Sequence, residues 1–148
     1  MKFQIKLRKF RLSDLKTILK IERSSFSIDA YSKKRFKSLW KYHPNNFILA
    51  EIKDKIVGYI IAYPRKDFGD FNSVAVDKKY RNLGIGKKLV NFMLEKFKKL
   101  GLKRAFLEVR TKNKITISFY RNLGFKIIKI IKNFYKDGGN AYRMVKTL

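Results

Sequence analysis

Apolar residues recur along this chain with two spacings, and the alternation between them predicts its elements. Phe3, Ile5 and Leu7 alternate with Gln4, Lys6 and Arg8, the period of two that a half-buried strand requires. Ser13 then stands where an N-cap would open a helix. Leu15, Ile18, Leu19, Glu22 and Phe26 fall on one stripe of that helix at about 100° per residue. A second helix is predicted over 32–42, ending before His43-Pro44 because the residue ahead of a proline is biased away from helical geometry. Residues 47–52 and 55–63 read as strands joined by a turn at Lys53-Asp54, with 71–76 as the third strand of a meander.

A long helix over 83–100 is the best-defined element. Lys87, Lys88, Asn91, Glu95, Lys98 and Lys99 occupy one polar arc and apolar residues the remainder, with Gly101 as its C-terminal stop. A strand over 104–110, a short helix over 114–123 closed by Gly124, and strands over 125–131 and 141–145 complete the order β-α-α-β-β-β-α-β-α-β-β. With no internal repeat and no linker, this is a mixed α/β (α+β) sheet in one domain spanning 1–148.

Charge and composition narrow the chemistry. Lys and Arg number 37 against 11 Asp and Glu, a net +26. The basic residues are spread along the chain, so no tail or arm carries them. Such a charge steers polyanions toward the surface in a salt-dependent way. Association with the ribosome or another polyanion is therefore one expectation, and a lysine-biased surface is the plainer one. With no Cys and a single His, a thiol nucleophile and an ordinary zinc site are excluded, so no metal is expected. The longest apolar stretch, 56–63, is too short for a membrane span, which needs about 20 residues. The N-terminal pattern is that of a strand and not a signal peptide, so a soluble cytoplasmic protein without a membrane partner is expected.

One stretch carries a recognisable chemistry. Residues 73–88 run from an apolar strand through a polar turn into the long helix, with Gly84 and Gly86 at its start. Free N–H groups and the positive end of the helix dipole suit a phosphate, and glycine allows close approach. A Walker loop fails because Arg81 stands where its first Gly is needed and Lys88 follows Lys87. A dinucleotide fingerprint fails at Leu89.

Arg81-Asn82-Leu83-Gly84-Ile85-Gly86, after a Val-Ala-Val-Asp strand, resembles the Arg/Gln-x-x-Gly-x-Gly/Ala signature of the GNAT acyltransferases. Leu107-Glu-Val-Arg110, Asn113, Phe119-Tyr120, Leu123-Gly-Phe125 and Phe134-Tyr135-Lys-Asp-Gly138 resemble the RimI-like protein N-terminal acetyltransferases of that superfamily. The resemblance covers essentially the whole chain, and its fold has the element order predicted above.

It implies acetyl-CoA as cosubstrate, lying between the strand of Val74, Ala75 and Val76 and the strand over 104–110. Backbone groups of the first strand would bind the acyl and pantetheine part. The amides of Asn82, Leu83, Gly84, Ile85, Gly86 and Lys87 would take the pyrophosphate, with Arg81 and Lys87 adding charge. Asn113 would touch the pantetheine arm while capping the short helix. The resemblance further implies Glu108 as general base and Tyr120 as the acid that protonates the leaving thiolate.

Acyl transfer to an amine needs the neutral amine. At pH 7 this costs about 1.4 kcal/mol for an α-amine and about 4.6 kcal/mol for a lysine, so an α-amine is the easier nucleophile. The chain has four glutamates, Glu22, Glu51, Glu95 and Glu108. Glu95 sits mid-arc, four residues before Lys99, as a solvated partner. Glu108 shares its strand face with Phe106 and Arg110; burial would raise its pKa and Arg110 lower it. Glu22 points at the core, where an unpaired carboxylate is costly. Either it forms the substrate-amine end of the pocket with Tyr31 and Tyr135, or it pairs structurally with a nearby Arg or backbone N–H. Trp40 and His43 read as packing or surface residues.

The leading expectation is thus direct acetyl transfer to the α-amine of a protein or peptide N-terminus. The alternatives are a small amine or lysine side chain as acceptor, and a non-catalytic ribosome- or RNA-binding protein on the same fold. The loop over 26–32 has no Pro-Trp, and Gly139-Asn140 replaces a common acidic pair, so preference for the first acceptor residue does not carry over.

Overall fold

The computed structural model describes residues 4–148; Phe3 of the first predicted strand lies outside them. The elements are β1 (Lys6–Lys9), α1 (Leu15–Phe26), α2 (Lys33–Tyr42), β2 (Phe47–Ile52), β3 (Lys55–Arg65), β4 (Phe68–Val76), α3 (Ile85–Lys99), β5 (Arg104–Arg110), α4 (Lys114–Asn122), β6 (Lys126–Ile131) and β7 (Ala141–Thr147). This is the predicted order, in a seven-stranded mixed sheet ordered β1-β2-β3-β4-β5-β7-β6. β4 and β5 are parallel, while β1–β2, β2–β3, β5–β7 and β6–β7 are antiparallel.

Boundaries differ where a local interaction overrides the pattern. Ser13 is not the cap of α1. The Asp14 carboxylate accepts the Arg11 N–H at 2.8 Å and the two terminal nitrogens of the Arg8 guanidinium at 2.9 Å, which winds Leu12–Asp14 into a 3-10 turn and leaves Asp14 at the N-cap position. α3 starts at Ile85 and not at Leu83, because Asn82 and Gly84 hold φ of +64° and +83°, outside helical space. β3 and β4 extend past the predicted 63 and 71 to meet in a hairpin at Lys66-Asp67; Pro64 and Gly69 had hidden the strand pattern there. β7 runs on to Thr147, paired with Arg104.

The fold divides into two compact units. One holds the chain up to Tyr63 with Asn72–Met93, the other Pro64–Phe71 with Leu94–Leu148. In the first, α1 and α2 pack over the sheet through Phe10, Ile18, Phe36, Phe47, Leu49, Tyr59 and Ile61, with Phe10 stacked on Phe47 at 4.1 Å. Ser32 caps α2 by accepting the Arg35 N–H. His43 stacks on Tyr63 and Trp40 edges onto Phe10, both as packing residues. Gly58 lies in the buried stretch of β3, where a side chain would meet the Ala75 carbonyl at 2.9 Å.

In the second unit, Phe71 meets Phe97 and Phe125 edge to face, and Tyr120 meets Phe125. These rings bring the end of α3 and α4 onto one side of β4, β5 and β7. Side chains on the opposite side of these strands, Asp70, Phe106, Glu108 and Arg143, are each half-buried. Among the described residues no helix is long and apolar enough to cross a membrane.

Candidate active site

In the first unit the strand-turn-helix of residues 73–88 makes a cradle for an anion. Val74 and Val76 are half-buried and Ala75 buried at the end of β4. The Asp77 carboxylate accepts the Lys79 N–H and fixes the first bend. Gly84 provides the left-handed turn ahead of α3, and its carbonyl accepts the Lys88 N–H at 3.0 Å. The N–H groups of the helix's first turn therefore have no partner within the helix. Ile85 and Leu89 are buried, so Lys87 and Lys88 face outward.

A Cβ on Gly84 would meet nothing within 4 Å, so the turn ahead of α3 is open on that side. Donors, helix dipole and flanking lysines fit the pyrophosphate of coenzyme A. Arg81, expected to add charge, also donates from its Nε to the Val76 carbonyl at 3.1 Å, and a terminal nitrogen reaches Ser25 Oγ at 3.3 Å. It braces the turn against β4 and α1.

Glu22, also in the first unit, is 1% exposed. One carboxylate oxygen accepts the Tyr59 hydroxyl and, at 2.9 Å, the Ser73 hydroxyl; the other accepts the Tyr31 backbone N–H at 2.9 Å. Burial pushes its pKa up against these three hydrogen bonds. The backbone partner foreseen for Glu22 is present, and the hydroxyls of Tyr59 and Ser73 are partners the sequence did not reveal. The Tyr31 hydroxyl donates to the Asn72 carbonyl at 2.9 Å, and Arg35 lies over its ring. Glu22 and Tyr31 are thus brought together, with Tyr31 as the link from the α1–α2 connection to β4. Tyr135 belongs to the second unit.

There, strand alternation points Glu108 away from Leu107 and Val109, which are buried. Burial raises its pKa first, Asp70 adds to the rise, and Arg143, Arg65 and Lys129 oppose it. The expected influence of Arg110 is corrected. Arg110 bonds Asp137 at 3.1 Å and lies over the Tyr135 ring at 4.2 Å, and the cation nearest Glu108 is Arg143, at 3.8 Å. Arg143 faces Glu108 across the β5–β7 ladder, a register the sequence does not print.

Tyr120 is 7% exposed, and burial alone pushes its phenol well above the ordinary range, which keeps it protonated. Asn113 caps α4 by accepting the Thr116 N–H at 3.2 Å. Glu95 meets Lys98 at 3.5 Å on the solvent face of α3, one residue short of the expected Lys99. Among the described residues no group of three or more His, Asp or Glu side chains could hold a metal ion.

The anion cradle leading into α3 fits the phosphates of a coenzyme A thioester, and the class it points to is a coenzyme A-dependent acyltransferase. The chain belongs to the Acetyltransferase (GNAT) family, whose pattern matches residues 15–125, as the motif over 81–86 implied. It is 32% identical, over 160 aligned positions covering 98% of this chain and 94% of the relative, to an N-alpha-acetyltransferase of Sulfurisphaera tokodaii. It is 29% identical to the [ribosomal protein bS18]-alanine N-acetyltransferase of Escherichia coli, over 83% of this chain and 82% of that one. The solved structure of Ard1 from Thermoplasma volcanium superposes with a TM-score of 0.92 at 27% identity, over 97% of each chain.

Proposed function

We propose that this chain, acting as one catalytic domain in the cytoplasm, transfers an acetyl group from acetyl-CoA directly to the α-amine of protein N-termini. The observation that carries the reading is Glu108, a half-buried carboxylate on β5 whose nearest cation stands 3.8 Å away and whose pKa burial raises. A raised base takes the ammonium proton with less free-energy loss than an ordinary carboxylate. Tyr120, protonated by burial, gives a proton to the departing sulfur. Acetyl-CoA supplies the acyl group as a thioester.

The first-turn amides over 82–87 and Lys87 hold the pyrophosphate, with Arg81 bracing the turn. Backbone groups of Val74, Ala75 and Val76 hold the acyl and pantetheine part, and Asn113 the pantetheine arm. Tyr31 and Tyr135 contact the acceptor, and Glu22 fixes Tyr31. The relatives named above support the acceptor class, and the α-amine's lower deprotonation cost favours it over lysine. A net charge of +26 further favours acceptors presented on ribosomes or other polyanions.

The test is transfer from labelled acetyl-CoA to peptides with free or blocked N-termini, beside lysine peptides and polyamines. Turnover should require the free N-terminus and fall about 10²–10⁴-fold in Glu108→Gln and in Tyr120→Phe. Turnover of blocked lysine peptides or polyamines alone would move the acceptor class, and full activity of Glu108→Gln would remove it as the base.

A further inference from the structure

Glu108 sits in a four-member frame of charges drawn from every strand around it in its unit. Asp70 on β4 is in register with Phe106 of the parallel β5, which places it on the Glu108 face, diagonal to the carboxylate. Arg65, at the end of β3, holds Asp70 through a 3.1 Å ion pair. Arg143 on β7 is directly opposite Glu108, and Lys129 on β6 is opposite Arg143. Arg143 does not close on the carboxylate: it stands 3.8 Å away while its guanidinium lies 4.5 Å from the centre of the Phe106 ring. Glu108 is therefore flanked by one carboxylate that is itself restrained by an arginine, and by one arginine restrained by a ring.

We propose that Asp70 and Arg143 are positioning residues that act in opposite directions on Glu108, and that their balance sets the pH at which Glu108 accepts the acceptor's proton. The inference rests on Glu108 as the base. Removing Asp70 deletes a negative neighbour and releases the Arg65 cation, and both changes favour the ionised form of Glu108. Removing Arg143 favours the protonated form. Arg65→Gln, which leaves Asp70 without that guanidinium, acts like the loss of Arg143. The directions agree with burial and Asp70 raising the Glu108 pKa while Arg143, Arg65 and Lys129 lower it.

The chain's four glutamates make a direct test practicable. Protein labelled with carboxyl-¹³C glutamate gives few enough resonances to follow each titration, and Glu108→Gln assigns the one of interest. The Glu108 midpoint should fall by about half a pH unit or more in Asp70→Asn, and rise by a similar amount in Arg143→Gln and Arg65→Gln. It should stay near the native value in Asp70→Glu. The acid limb of the kcat/KM profile should move with each midpoint, which a merely structural role would not produce. Midpoints that stay fixed, or move the same way in Asp70→Asn and Arg143→Gln, would overturn the inference. If Asp70→Asn fails to fold, the two arginine variants decide it. Full activity in Glu108→Gln is a separate outcome that sinks the base assignment.

Discussion

Glu22 and Glu108 are both carboxylates taken out of water with raised pKa values, yet their surroundings assign them opposite work. Glu22, in the first unit, is 1% exposed and receives three donors, from Tyr31, Tyr59 and Ser73. Glu108, in the second, has a side chain 23% exposed, and the guanidinium nearest to it stands at 3.8 Å, beyond a good hydrogen bond. A carboxylate whose oxygens are already engaged holds structure together. One that is desolvated but incompletely partnered is available to move a proton.

The largest effect that can break this contrast is on turnover. Glu108→Gln keeps shape and removes the proposed base, so kcat should fall about 10²–10⁴-fold while the thermal midpoint changes little. If Glu108→Gln instead unfolded the protein with normal turnover of the folded fraction, the two carboxylates would have exchanged roles.

Next is Glu22→Leu, which leaves the Tyr31 N–H and the Tyr59 and Ser73 hydroxyls without their acceptor. Each buried unsatisfied group costs about 1–3 kcal/mol; with partial relaxation the loss should be about 2–4 kcal/mol, read from the urea midpoint. Because Glu22 also anchors Tyr31, KM for the peptide should rise more than kcat falls. The pH dependence has a definite sign. The folded-state pKa of Glu22 is raised, so the protonated form is favoured on folding. Its contribution is fully present below the ordinary glutamate pKa and is lost as pH rises through the raised value. Glu22→Gln should flatten that slope. Asp14, lowered first by its Arg8 hydrogen bonds, contributes with the opposite sign: its stabilisation is present above the ordinary aspartate pKa and is lost as pH falls through the lowered one.

Much of this contrast could be read in the chain, and the remainder fails for identifiable reasons. Helical spacing placed Glu22 among Leu15, Ile18 and Leu19 and so predicted a buried carboxylate needing a partner. Strand alternation placed Glu108 opposite Leu107 and Val109. Pairing between strands was not legible. Tyr59, Ser73, Asp70 and Arg143 are brought to the two glutamates by contacts and registers between distant segments, which periodicity along one strand does not specify. Arg110, two residues from Glu108 on its own strand, looked like the natural partner, but the loop carrying Asp137 and Tyr135 captures it. The start of α3 falls two residues later than the apolar pattern predicts for a related reason: Asn82 and Gly84 adopt left-handed backbone, which the apolar pattern around Leu83 conceals.

A smaller effect separates cofactor binding from the carboxylates. Gly84→Ala adds a methyl group to the turn that leads into the α3 amides, at a φ of +83°. The backbone cost is about 1 kcal/mol, and KM for acetyl-CoA should rise, with the Glu108 titration unmoved. An unchanged KM would place the pyrophosphate elsewhere.

The smallest expected effect is at Glu95, which supplies the reference for both buried carboxylates. Its side chain is 64% exposed and meets Lys98 at 3.5 Å, so water already solvates the charge and the pair is screened by salt. Exposed pairs of this kind contribute about 0–1 kcal/mol. Glu95→Gln should therefore leave kcat and both KM values unchanged and shift the urea midpoint by less than the scatter between the Glu22 and Glu108 variants. Should Glu95→Gln lower kcat by tenfold or more, exposure would be the wrong criterion for separating the carboxylates, and the assignment of work by burial and partners would fail with it.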